Sequence, residues 1–125
     1  MPKAKILLIE DDPDQVYLYT IKFTLEGFEL ISAKNGREGL DKASRESPDL
    51  ILCDIVMDAM NGMAVLKKLK SGAQTKKIPV IMLTNLSDKS LMKKSEEMGA
   101  AGFWIKTEVM PQELIDRVKK ILEVK

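Results

Sequence analysis

The chain has 125 residues, 45% of them hydrophobic and 31% charged, with 20 basic against 19 acidic side chains. That is enough for one ordinary core and not for two; no apolar run approaches the roughly 18 residues of a bilayer span, and a net charge of +1 gives no reason to expect nucleic acid or an anionic membrane as partner. With no histidine and a single cysteine, Ser-His-Asp and Cys-His catalysis, the usual zinc sites, an internal disulfide and a phosphohistidine made by the chain itself are excluded.

Apolar runs and helical patterns alternate along the whole chain. Lys5 to Ile9 reads as a strand, and the acidic trio Glu10-Asp11-Asp12 follows it. Asp12 then reads as an N-cap, with Pro13 at the first helical position and Gln15 placed to close a capping box. Val16, Tyr19, Ile21, Phe23 and Leu25 supply the apolar content of this first helix, and Gly27 ends it. Phe28 to Ala33 is the second predicted strand; Asn35-Gly36 marks a turn, and a helix runs from about Arg37 to Arg45, ending before Ser47-Pro48.

The third strand is the run Leu50-Ile51-Leu52-Cys53, four apolar residues without alternation, as expected of a strand buried on both faces. It stops at Asp54. Asn61-Gly62 opens the third helix, with Met63, Val65, Leu66 and Leu69 as inward candidates and Ser71-Gly72 as its end. Pro79 to Thr84 is a fourth buried strand; Ser87 or Asp88 caps a lysine-rich fourth helix that Gly99 terminates. Ala101 to Ile105 is a short fifth strand ending at Lys106, and Pro111 starts a last helix whose stripe is Leu114, Ile115, Val118, Ile121 and Leu122. With no linker or repeat, a single domain over residues 1–125 is expected. Five strands separated by helices imply an α/β fold with a parallel sheet and right-handed crossovers; both common doubly wound strand orders stay open at this point.

In such a sheet the carboxyl ends of the strands lie along one edge, where ligands bind. Four of the five runs end there on complementary groups: Glu10-Asp11-Asp12, Asp54, Thr84 and Lys106. Clustered carboxylates repel one another unless a cation is present, and hard oxygen ligands suit Mg²⁺. A lysine offers a point charge to a phosphate oxygen, a threonine hydroxyl can donate to another, and an aspartate nucleophile can form an acyl phosphate. Singly these residues are unremarkable, since Asp suits turns and a lysine at a strand end is commonly just solvated. The conjunction carries the reading.

The constellation resembles the receiver domain of two-component response regulators, over the whole chain. The resemblance rests on Glu10-Asp11, Asp54, Thr84 and Lys106, with Gly62 and the aromatic Phe103 also falling where that family has a glycine and a switch aromatic. It implies a flavodoxin-like, doubly wound, five-stranded parallel sheet in the order 2-1-3-4-5 with five helices. It makes Asp54 the phosphoacceptor, Asp11 and Asp54 direct Mg²⁺ ligands, Val56 a ligand through its backbone carbonyl and Glu10 a ligand through water. Thr84 and Lys106 would hold the phosphoryl oxygens. On phosphorylation Thr84 and Phe103 would shift, changing the face made by the fourth helix, fifth strand and fifth helix.

The implied role is a signalling switch, not an enzyme, that catalyses its own phosphoryl transfer and a slow hydrolysis of the product. A histidine kinase or phosphotransfer protein would act in trans and a protein partner downstream, with neither nucleic acid nor membrane involved. The absence of a signal-peptide core and the lone cysteine fit a cytoplasmic protein. Because no output domain precedes Lys125, a stand-alone receiver is expected. The sequence departs from the family at Asp58, where proline is frequent, at Asn85, where a small residue is usual, and at Thr107, where proline in a cis bond is usual. These departures motivate an alternative, a receiver-like scaffold that binds partners without phosphorylation. A haloacid-dehalogenase-type phosphohydrolase is disfavoured, because Val56 stands where that family needs a second aspartate. Cys53 reads as a small buried apolar residue, and the lysines at 67, 68, 70, 76, 77, 93 and 94 as solvated faces, those on the fourth helix being able to meet an acidic partner.

Overall fold

The computed structural model describes residues 4–57 and 60–123; Asp58 lies outside them. Five strands alternate with five helices in the order β1 (Lys5–Ile9), α1 (Pro13–Leu25), β2 (Glu29–Ala33), α2 (Gly36–Glu46), β3 (Leu50–Cys53), α3 (Gly62–Ser71), β4 (Val80–Thr84), α4 (Lys89–Glu97), β5 (Gly102–Ile105) and α5 (Pro111–Glu123). All strand pairs are parallel and the sheet order is β2-β1-β3-β4-β5, the flavodoxin-like arrangement that the resemblance implied. Among the described residues no helix is long and apolar enough to cross a membrane.

The unalternating apolar runs are explained by two cores, one on each face of the sheet. Ile6, Leu8, Leu50, Leu52, Ile81 and Leu83 point into a layer closed by Phe23 of α1 and by Leu114 and Val118 of α5. The intervening residues Leu7, Ile9, Ile51, Cys53, Val80 and Met82 meet Val65, Leu66 and Leu69 of α3 and Ala43 of α2 on the other face. Successive strand residues point to opposite sides, so a strand covered on both sides must be apolar throughout.

Helix starts follow local chemistry. Asp12, Asn35, Asn61 and Asp88 each accept a backbone N–H of the first turn. The capping box expected at Gln15 is absent among the described residues: Asp12 bonds the Asp14 amide at 2.9 Å, and Gln15 lines the cavity described below. A reciprocal arrangement occurs instead at α2, where Asn35 Oδ1 accepts from the Glu38 amide at 2.8 Å and Glu38 Oε1 accepts from the Lys34 amide at 2.7 Å.

Three expected strands begin one residue late. Phe28 donates its N–H back to Phe23 O in the turn that ends α1, Pro79 has no N–H to give, and Ala101 precedes the first residue of β5. On α1, Tyr19 and Phe23 are buried as expected, but Ile21 (40% exposed) and Leu25 (77%) lie on the outer face beside Tyr17 and Leu18. In α4 only Ser95 is fully buried.

Candidate functional site

The sheet carries its hydrogen-bond ladder one residue past the strand ends, and those extra bonds fix the site. Glu10 N donates to Ala33 O at 2.9 Å, Asp54 N to Ile9 O at 3.0 Å and Lys106 N to Thr84 O at 2.7 Å. Glu10, Asp54 and Lys106 are therefore anchored through their own backbones to the neighbouring strands. Gly62, at the start of α3, packs under the end of β3: a Cβ built there would lie 2.1 Å from the Asp54 carbonyl oxygen. The Gly62 amide donates to Ile55 O at 2.8 Å, so the backbones approach as closely as only a residue without a side chain allows.

The side chains converge on a cavity of about 280 Å³ lined by Glu10, Asp11, Asp54, Thr84, Asn85 and Lys106, among others. The Lys106 ammonium donates to Glu10 Oε1 at 2.6 Å and lies 3.5 Å from Asp54 Oδ2. Asp54 Oδ1 accepts from the Val56 amide at 3.3 Å. One carboxylate oxygen from each of Glu10, Asp11 and Asp54 lies within 4.8 Å of the others. Thr84 is fully buried, and its hydroxyl oxygen accepts from the Leu86 amide at 3.2 Å, which leaves its proton to donate elsewhere.

The electrostatics are those of too many anions for one cation. Burial pushes the Glu10 carboxyl above its usual range, with Asp54 adding to the effect and the bond from Lys106 opposing it. Burial works against the charge on Lys106 too, but there Glu10 and Asp54 outweigh it and the net direction is up. The Cys53 thiol, buried beside the same two carboxylates, is pushed far up and stays protonated, in keeping with a packing role.

Of the residues singled out from the sequence, Glu10, Asp11, Asp54, Thr84 and Lys106 thus share one cavity. Val56 is at its mouth, 59% exposed. Phe103 is not in this cavity; it is half-buried on β5 and lines a separate one of about 220 Å³ with Met92, Ser95 and Ala100. No described peptide bond is cis, so Lys106–Thr107 is trans where the family usually has a cis proline. Gln15 and Leu86 also line the site, and neither was singled out from the sequence as a site residue. Leu86 follows the end of β4, and its amide bonds the Thr84 hydroxyl as the Val56 amide bonds the Asp54 carboxylate.

The sequence profile described as the response regulator receiver domain matches residues 6–119. The chain belongs to this family. Sporulation initiation phosphotransferase F of Bacillus subtilis is 33% identical over 125 residues, covering 100% of this receiver and 98% of that protein. Protein PilH of Pseudomonas aeruginosa is 38% identical over 81 residues, or 65% of this receiver and 67% of PilH. Among solved structures, the chemotaxis protein CheY4 of Vibrio cholerae superposes with a TM-score of 0.89 at 27% identity, over 96% of this receiver and 99% of that chain. Other curated relatives are longer: this receiver spans 49% of one and 23% of another. Receiver domains are signalling switches that bind Mg²⁺ in an acidic pocket, and the donor set here, three carboxylates with hard oxygens, fits such an ion.

Proposed function

We propose that Asp54 is the phosphoacceptor of a histidine-to-aspartate phosphorelay. The observation that carries this reading is the setting of its carboxylate: 7% exposed, 3.5 Å from a buried ammonium, and within 4.8 Å of two further carboxylates. A carboxylate oxygen of Asp54 attacks the phosphorus of a phosphohistidine, the P–O bond forms as the P–N bond breaks, and the imidazole leaves with the bond pair and takes a proton from solvent. The chain has no histidine, so that imidazole belongs to a kinase or phosphotransfer protein in trans.

Phosphoryl transfer needs mostly positioning and neutralisation. Asp11 and Asp54 would hold Mg²⁺ directly, with the Val56 carbonyl, and Glu10 through water; when bound, the ion supplies the positive charge that lets donor phosphate and carboxylates come together. Lys106 orients one phosphoryl oxygen and, in moving toward it, loosens its bond to Glu10. The Thr84 hydroxyl donates to another oxygen, and Phe103 turns into the space that Thr84 leaves. The product state then differs on the face of α4, β5 and α5, where a downstream protein would bind, and water slowly hydrolyses the acyl phosphate.

Incubation with Mg²⁺ and acetyl phosphate should add the mass of one phosphoryl group, stable in acid and labile in base. Asp54→Asn should show none. Absence of the adduct in the parent protein, or its persistence in Asp54→Asn, overturns the reading.

A further inference from the structure

The charge of this chain is not spread evenly. Residues 62–99, which comprise α3, β4, α4 and their connections, hold eight lysines against three carboxylates, while the rest of the chain holds twelve basic groups against sixteen acidic ones. Within this basic segment, a groove of about 380 Å³ lies between α3 and α4, lined by Met63 and Lys67 on one side and Lys94 and Met98 on the other. Both lysines are exposed, both methionines are half-buried, and neither lysine pairs with a carboxylate among the described residues. α4 buries only Ser95, so it leaves this gap beside α3 open.

We propose that the α3–α4 groove docks an acidic amphipathic helix of a partner protein. Two unbranched, polarizable methionines form a floor that adapts to aliphatic side chains, and a groove between two helices accepts a third through side chains one turn apart. The lysines on its two walls set the sign of the partner: glutamates or aspartates flanking the apolar anchors meet them, and steer the encounter from a distance. A nucleic acid fits less well, because residues 62–99 contain no arginine and no aromatic ring on which a base could stack. This docking does not depend on the phosphoacceptor reading, and the experiment is run without a phosphodonor so that the two fail separately.

The probe is an acetylated glutamate–alanine helix carrying leucines at i and i+4, titrated at low salt into protein with labelled methionine methyl groups. The Met63 and Met98 signals should shift and saturate. Lys67→Glu combined with Lys94→Glu should weaken binding about tenfold or more, while Lys22→Glu on α1 leaves it within about twofold. Matching thermal melts exclude misfolding, and the paired glutamine substitutions serve if the charge reversal perturbs the fold. Unmoved Met63 and Met98 signals, undiminished binding by the double variant, or equal binding of a leucine-free peptide each overturn the proposal. Lysine-dependent sedimentation with phosphatidylglycerol vesicles but no response to the peptide also overturns it, and assigns the surface to a membrane.

Discussion

With 2% of its surface exposed, Glu10 has to keep a charge beside Asp11 and Asp54 with, among the described residues, only the Lys106 ammonium paired to it. Its carboxyl is therefore raised by burial, and the sign of the consequence is fixed. A raised carboxyl binds its proton more tightly in the folded chain than in the unfolded one. Its penalty is complete above the raised value and is relieved as pH falls through that value toward the usual 4.5. Glu10→Gln should accordingly be more stable than the parent at pH 7 in chelator, with the gap closing as pH falls through this window; urea midpoints of the two proteins across the range provide the check. Residues of this kind are the most legible part of the site, because a carboxylate directly after an apolar run stands out from its surroundings. Gln15 and Leu86 were not legible in that way. A glutamine three residues past an N-cap has a local explanation that hides a tertiary one, and a leucine after a strand resembles the core residues before it.

At the scale of elements, α1 shows why residue type alone misleads. Tyr19 and Phe23 are four apart and share the buried face, whereas Ile21 and Leu25, also four apart, occupy the far side of the same helix. All four are apolar, so the helix has two apolar stripes and composition cannot say which one faces the sheet. Phe23→Ala should cost about 3–5 kcal/mol, since the ring is fully buried and packs edge-on against Phe28 at 5.4 Å. Leu25→Gln should stay within about 0.5 kcal/mol; chemical denaturation of both variants distinguishes the faces. The start of α3 carries a different constraint. In Gly62→Ala the new methyl group would meet the Asp54 carbonyl at 2.1 Å, and backbone, unlike a flexible side chain, cannot turn aside. The expected result is a loss on the order of 1–3 kcal/mol together with slower phosphoryl uptake, read by melting and by intact mass over time. The glycine was visible in the sequence as part of a turn, but its contact with the strand below the nucleophile was not.

For the molecule as a whole, alternation of strands and helices was enough to give a parallel sheet, and two-sided burial follows from runs without polar interruption. Strand order was not derivable in the same way. It depends on which side of β1 each crossover lands, a long-range choice that no local run records, and it was supplied by the family resemblance. The uneven charge was plainly present in the sequence too, yet only the juxtaposition of Lys67 and Lys94 across one groove distinguishes a surface from a set of solvated lysines. The spacing along the chain of the ion pair at the site has a further implication, for how the protein comes into being. Lys106 meets Glu10 across 96 residues and Asp54 across 52, and the backbone of Lys106 is held by Thr84. Closing such loops is a late and entropically costly event. A nascent chain emits its three carboxylates long before the lysine that balances them, and that lysine arrives only when β5 has docked on β4. The acidic cluster is thus neutralised only once β5 is in place, so truncated chains lacking β5 hold the carboxylates of Glu10, Asp11 and Asp54 without the lysine that offsets them.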